Sequence, residues 1–382
     1  MSNNNILFID HADGMGGAEN ILLLLMNHLN KQVWNPNLAV SNGRFLQLAQ
    51  QNHIPAHTVV FPKLRRSPMA ITNWGHGGRA IAKIAKTINA RILHANTIRA
   101  SLYTAVAAKH TRIPFIWHMH DFWLSENEPQ QKWLDSRGKW MLSQMATVII
   151  ANSQATATHL PPSEKLVVVH NGIDLAEFDL AIDGRNFRQQ HNIPHNQPVV
   201  GMMGRLRPWK GQTTFLNIAA QISQTHPQTR FLVVGGNPFT TQDAYAAELR
   251  QIAQDLQLTD KITFTGQITD VQSALTAMDI FVHPGAPEPF GLVNIEAMAM
   301  QRPVVAFAHG ALPEIVVDGE TGLLIPPNNI NTMAAQITTL LDDKEIRMRM
   351  GENGRKRIET HFTIQQTVTK ITEIYEQILN DE

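Results

Sequence analysis

Residues 279–296 read Asp279-Ile-Phe-Val-His-Pro284-Gly-Ala-Pro287-Glu288-Pro289-Phe290-Gly291-Leu292-Val-Asn-Ile-Glu296. The apolar run before Pro284 predicts a buried strand, Pro287 and Pro289 stop it, and Ile295 to Met300 predict a helix packed on the sheet. Glu288 then sits at a strand's C-terminal mouth, where open parallel sheets bind ligands because helix N-termini and free backbone N–H groups converge there. Glu296, about a turn into the helix, reaches a second part of the same ligand. Two hydroxyl-accepting carboxylates beside backbone donors suit a sugar at one end and a ribose at the other. The bare spacing of eight also describes two ordinary surface glutamates, so the rest of the chain decides.

Outward from this stretch, short β-branched runs alternate with amphipathic segments, the pattern of βα units that build parallel sheets. Strand candidates in the first half are 6–10, 38–41, 58–61, 91–95, 115–118, 148–152 and 165–170. A second series follows at 199–204, 230–235, 262–266, 280–284, 304–308 and 322–325. Between them, 171–198 is rich in Asn, Gln, Gly and Pro and reads as a hinge. Two doubly wound lobes with a cleft between them are the simplest arrangement. At the end, Phe362, Val368, Ile371, Ile374, Tyr375 and Ile378 are spaced for a helix that buries one face.

A length of 382 residues fits two to three domains at roughly 150 residues each. The absence of cysteine excludes disulfides, thiol catalysis and a thiolate zinc site, and is compatible with a reducing cytoplasm. The start lacks a basic leader and enters a strand directly, and the leucine-rich run Ile21 to Met26 is far short of the roughly 18 apolar residues of a spanning helix. The expectation is a cytoplasmic protein, soluble or peripheral on the membrane. The net charge of zero is uneven, with 16 Lys+Arg against 11 Asp+Glu in residues 1–180 and 16 against 21 beyond. Lys63, Arg65 and Arg66 precede Trp74, and Arg79, Lys83 and Lys86 share one helix face. A solvated face is the commoner source of such charges; a patch for anionic lipid is the alternative.

Three further motifs fall at strand ends. Asp13-Gly-Met-Gly16-Gly17-Ala-Glu19 follows the first strand and lets backbone amides approach an anion at a helix N-terminus. A dinucleotide fingerprint would want glycine where Glu19 stands and an acid where Ser41-Asn42-Gly43 stands, which argues against a nicotinamide oxidoreductase. Gly204-Arg205-Leu-Arg207-Pro-Trp-Lys210-Gly211 puts cations at a strand-to-helix crossing, where they would neutralise a diphosphate; an exposed basic loop is the plainer alternative. Trp117-His118-Met119-His120-Asp121 ends a strand of the first lobe, with His118 and His120 pointing the same way. No third metal ligand lies nearby in sequence and no Asp-x-Asp pair occurs, so a polar contact to substrate is preferred over a metal. Trp117, Phe122 and Trp123 fit either the core or a stacking platform.

Taken together, Gly14-x-Gly16-Gly17-x-Glu19, His120-Asp121, Val169-His-Asn171-Gly172-Ile-Asp174, Gly204-Arg205-Leu206-x-x-x-Lys210-Gly211 and Glu288-x7-Glu296 resemble the retaining family 4 glycosyltransferases of GT-B fold. The similarity continues through Arg302-Pro-Val-Val, Gly310-Ala-Leu-Pro-Glu314 and Asp318-Gly-x-Thr-Gly-Leu-Leu324, so it spans nearly the whole chain. The family's usual Pro-Ser and Gly-Gly are Pro284-Gly285 and Gly310-Ala311 here.

The resemblance implies an α/β GT-B fold of two Rossmann-like domains facing a central cleft. Residues 1–178 form the acceptor side, 179–361 the donor side, and 362–382 a helix crossing back to the first domain. It implies transfer of a sugar from a nucleoside-diphosphate sugar to an acceptor hydroxyl with retained configuration and no metal or other cofactor. Arg205 and Lys210 would hold the diphosphate, Glu296 the ribose and Glu288 the sugar hydroxyls, with Pro289, Phe290, Gly291 and Leu292 completing the site. Gly266 and Ile268 would flank the base, Gly16 and Gly17 would approach the phosphates, and His120 would sit beside the sugar. The acceptor is a sugar, a polysaccharide or a lipid-linked sugar, met by the loops 61–74 and 122–133, with peripheral membrane contact as an alternative and no nucleic acid partner. A sugar-nucleotide epimerase, a phosphorylase and a non-catalytic homologue are the competing functions.

Overall fold

A computed structural model describes residues 4–62, 69–122, 132–236 and 244–381. Lys63, Arg65, Arg66 and Trp123, and parts of the loops 61–74 and 122–133, lie outside them. The chain divides into two compact units, Met1–Ile173 with Ile364–Glu382, and Asp174–Thr363.

Unit 1 carries a seven-stranded sheet of order β3-β2-β1-β4-β5-β6-β7. Its strands are β1 (Asn4–Ile9), β2 (Trp34–Val40), β3 (Ala56–Thr58), β4 (Ala90–Ala95), β5 (Phe115–Met119), β6 (Val148–Ala151) and β7 (Leu166–Val168), all parallel. Alternate residues feed two cores. Leu7, Ile9, Leu93, Phe115 and Trp117 face one side, and Ile6, Phe8, Ile92, Ile116 and Ile150 the other. Both faces are covered, which is why the strands read as near-continuous apolar runs. Trp117 belongs to this core and is fully buried.

β2 starts earlier than its apolar pattern predicts and contains Pro36. β3 pairs with β2 only from Leu38 onward, so the missing N–H of Pro36 costs no ladder bond on that side. β3 lies at Ala56–Thr58 instead of the expected 58–61, because its pairing runs from Ala56 opposite Leu38 to Thr58 opposite Val40, where β2 ends. The C-terminal helix runs from Ile364 to Asn380 and buries Ile364, Val368, Ile371, Ile374, Tyr375 and Ile378 in unit 1. Phe362 is not part of it. That residue follows the helix Lys344–His361 of unit 2, and its ring lies 6.1 Å from Phe290.

Unit 2 carries β8 (Val199–Met203), β9 (Arg230–Val234), β10 (Ile262–Gly266), β11 (Ile280–His283), β12 (Val304–Phe307) and β13 (Gly322–Ile325). They form a parallel sheet of order β10-β9-β8-β11-β12-β13. In both units the strand order reverses once, between β1 and β4 and between β8 and β11, as in doubly wound folds. Among the described residues no helix is long and apolar enough to cross a membrane.

Candidate active site

Because β8 and β11 are neighbours at the reversal, the loops leaving them part and open a crevice at their C-terminal ends. The basic motif and the paired-glutamate motif both fall there. Backbone contacts zip the two loops together: the Ala286 N–H donates to the Trp209 carbonyl at 2.7 Å. Gly211 adopts φ +82°, and a Cβ there would strike the Pro284 carbonyl. A Cβ on Gly285 would lie 2.8 Å from the Lys210 carbonyl oxygen, so the glycine at 285 has a steric reason.

Glu288 is buried at 5% exposure. Lys210 Nζ donates to its Oε1, and His283 Nε2 lies 3.5 Å from the same oxygen. Asn294 Nδ2 donates to the Gly291 carbonyl at 3.0 Å and to His283 Nδ1 at 3.3 Å. A ring nitrogen that accepts carries no proton, so His283 presents Nε2–H towards Glu288. Burial alone would raise the Glu288 pKa. The His283 imidazole and the Lys210 charge outweigh it and hold the carboxyl at about 2. Glu288 is thus ionised across the working pH range: it accepts hydrogen bonds from hydroxyls and has no proton to give.

A third loop, after β12, clamps this carboxylate from behind. Ala311 N–H donates to the Glu288 carbonyl at 3.0 Å, and His309 Nε2–H donates to the Gly285 carbonyl at 3.0 Å. Gly310 sits at φ +57°, where a Cβ would come within 2.6 Å of Glu288 N and O.

The helix after Glu288 spans Leu292–Ala299 and starts three residues before the predicted Ile295, because Gly291 takes φ +87° and turns the chain directly into it. The Leu292 and Val293 amides at its start lie at this sheet edge, where an anion would be held. Glu296 stands on this helix, half-buried, its pKa raised to about 7 by burial and then by the charge of Glu177. Arg205 is exposed, and its carbonyl accepts Gln212 Nε2 at 2.9 Å. At the end of β10, Gly266 has φ +70° and its carbonyl accepts the Gly235 N–H at 3.0 Å; Ile268 beyond it is half-buried. Arg205, Lys210, Gly266, Ile268, Glu288, Pro289 to Leu292 and Glu296 therefore share one sheet edge. A separate pocket lined by Asp279, Arg302, Lys344 and Arg347 lies at the opposite edge. There Arg188 and Arg302 tie Asp279 and backbone carbonyls together.

In unit 1 the reversal places the loop after β1 beside the end of β4. Gly16 caps the helix Gly17–His28 with extended backbone; a Cβ there would meet only the movable end of the Glu19 side chain, at 2.8 Å from Oε2. Asp10, which sequence reading passed over as a strand terminus, is fully buried and accepts from Ala12 N–H at 2.8 Å and Asn96 Nδ2 at 2.7 Å. Burial and then the Glu19 charge raise its pKa to about 7. His120 follows β5, its carbonyl accepting from Asn152 Nδ2 at 3.2 Å. Both its ring nitrogens are sealed from solvent without a hydrogen-bond partner among the described residues, and burial lowers its pKa to about 3. The ring is neutral. Among the described residues no three His, Asp or Glu side chains converge as metal ligands.

Residues 15–177 match the family model for Glycosyltransferase Family 4, and residues 183–357 match the model for Glycosyl transferases group 1. The lipopolysaccharide core biosynthesis mannosyltransferase LpsB of Rhizobium meliloti (strain 1021) is 30% identical over 63% of this chain and 68% of its own. The chain belongs to the family 4, group 1 glycosyltransferases. A D-inositol 3-phosphate glycosyltransferase of Corynebacterium efficiens is 31% identical over 62% of this chain and 58% of its own. Among solved structures, Anabaena Alr3699/HepE in complex with UDP and glucose superposes with a TM-score of 0.85 at 29% identity, covering 97% of this chain and 99% of that one. The two parallel-sheet units of this glycosyltransferase are those of the GT-B fold.

Proposed function

We propose that this glycosyltransferase moves a hexose from a nucleoside-diphosphate sugar to an acceptor hydroxyl, retaining the anomeric configuration and using no metal. The observation that carries the reading is the buried Glu288 carboxylate held by Lys210 and His283 beside the helix Leu292–Ala299. A UDP- or UDP-glucose-bound neighbour of similar fold supports a uridine donor as the first to try.

In this reading Glu288 accepts sugar hydroxyls, and Glu296 accepts the ribose hydroxyls. Lys210 and the exposed Arg205 neutralise the diphosphate as the bond from C1 to its oxygen breaks. The acceptor oxygen bonds to C1 on the same face, and its proton passes to the departing diphosphate oxygen. A double displacement needs a free carboxylate as nucleophile. Glu288 is tied by a cation and an imidazole, which favours the front-face route. His120 is neutral, and its ring nitrogens have no hydrogen-bond partner among the described residues.

The test needs no acceptor. Proton NMR of slow UDP-glucose hydrolysis, with EDTA present, reads the first-formed sugar before mutarotation. α-Glucose first fits retention; β-glucose first, or a strict metal requirement, overturns the mechanism. For the acceptor, the exposed Arg79, Lys83 and Lys86 and the exposed Trp133 and Trp140 of the helix Lys132–Met145 favour a lipid-linked sugar at an anionic surface. Absence of sedimentation with phosphatidylglycerol vesicles would count against it.

A further inference from the structure

Behind His120 runs a line of buried polar rings that the transfer chemistry itself does not use. Tyr375 Oη, on the C-terminal helix, is 2.7 Å from His94 Nδ1. His94 Nε2 is 3.0 Å from His118 Nδ1. The His118 and His120 rings stack with centroids 3.9 Å apart and planes tilted by 37°. Tyr375 and His94 are at 0% exposure and His118 at 1%. Apolar and aromatic neighbours hold the line laterally, with Phe8 5.1 Å from the His94 ring and Trp34 5.4 Å from that of Tyr375.

The proton polarity of this line follows from counting buried groups. If Tyr375 donates to His94 Nδ1, His94 carries its proton on Nε2 and donates to His118 Nδ1, and His118 carries its own on Nε2. One N–H is then left over. In the opposite polarity the Tyr375 hydroxyl proton has no acceptor and His118 Nε2 has no donor, so two buried groups are orphaned instead of one. A buried polar group left without a partner is costly, so the arrangement with one orphan is selected over that with two. The imidazoles of His94, His118 and His120 are neutral, since burial first lowers the pKa of each, with neighbouring rings adding to the effect on His94 and His118.

We infer that Tyr375, His94 and His118 form a positioning chain of fixed polarity that locks the His118 ring and, through the stacked pair, sets the orientation of His120. It gives the C-terminal helix a role beyond packing, since that helix supplies the donor that starts the chain. The leftover His118 Nε2–H and both His120 nitrogens lack partners among the described residues. They leave a buried polar edge at the end of β5. The importance of this edge for turnover rests on the donor-sugar reading of His120; the chain itself does not.

The test uses the full-length protein labelled with 15N in its histidine rings. Wild type should show His94 and His118 as single Nε2–H tautomers. Tyr375→Phe, which keeps the ring and removes one oxygen, should shift the signals of His118 and His120, neither bonded to residue 375. It should lower donor turnover by about tenfold, inside the ~10²-fold that a misplacement of about 1 Å can cost, with the KM for donor within about twofold. His94→Phe, which cuts both links while keeping a stacked ring, should give the same shifts if Tyr375→Phe folds poorly. Unchanged His118 and His120 signals in a folded variant would overturn the chain. If wild type fails to respond to any nucleotide sugar while the ring shifts occur, the donor reading fails and the chain stands.

Discussion

Replacing Glu288 by glutamine removes one charge and leaves the shape of the side chain. The carboxyl stands at about 2 instead of its usual 4.5, which at 1.36 kcal/mol per pKa corresponds to ~3 kcal/mol of stability. A depressed carboxylate stabilises the fold fully above 4.5, and the contribution is lost as pH falls towards 2. Breaking one side of a buried pair costs about 3–5 kcal/mol; Lys210, at 17% side-chain exposure, can turn partly to water, which favours the lower end. For a unit of this size ~3 kcal/mol lowers the melting temperature by roughly 6–12 °C. Differential scanning calorimetry of wild type and Glu288→Gln at pH 7, 4 and 3 reads the effect directly. The gap should be largest at pH 7 and narrow on acidification. Equal melting temperatures at pH 7, or a gap that stays constant down to pH 3, would refute the argument that Lys210 and His283 stabilise an ionised Glu288.

Arg205→Ala or Lys210→Ala should lower turnover by on the order of 10²-fold, measured as nucleotide release; wild-type turnover in either variant would remove that residue from the diphosphate site. Glu296 makes a pH prediction in a higher range. Its pKa near 7 means that the acceptor form grows as pH rises, so donor affinity by titration calorimetry should increase from pH 6 to 8, and Glu296→Gln should flatten the curve. The same raised pKa favours folding below 4.5, and that contribution is lost as pH rises through about 7. Gly310→Ala should destabilise by about 1–3 kcal/mol in urea unfolding, because φ +57° and a contact at 2.6 Å to the Glu288 backbone both oppose a side chain. It should also weaken donor binding by moving Glu288; a neutral result on both counts would show that the clamp is loose.

Each strand expected from the sequence has a counterpart in the fold, since a strand covered on both faces must be apolar almost throughout, and Ile280–Val282 or Phe231–Val234 show that directly. The edges were harder to read. β2 begins at Trp34, ahead of the apolar run from Leu38, and the helix after Glu288 begins early because of one glycine conformation. Arg205, Lys210 and Glu288 were legible because they sit in short loops directly after apolar runs. His283 and Asn294 were not, because a histidine ending a strand and an asparagine in a helix take their meaning from a contact made across the loop. Asp10 was hidden as a strand's last residue. No local pattern could pair Tyr375 with His94, which is 281 residues away.

The central claim, that the crevice between β8 and β11 binds a nucleoside-diphosphate sugar without metal, is tested most directly by thermal stabilisation of the purified protein. UDP-, GDP- and ADP-sugars are compared with and without EDTA, since a ligand that binds only the folded state raises the melting temperature. The account predicts a base-selective rise that survives EDTA and disappears in the Arg205→Ala, Lys210→Ala double variant. No rise with any donor, or one that EDTA abolishes, would contradict it.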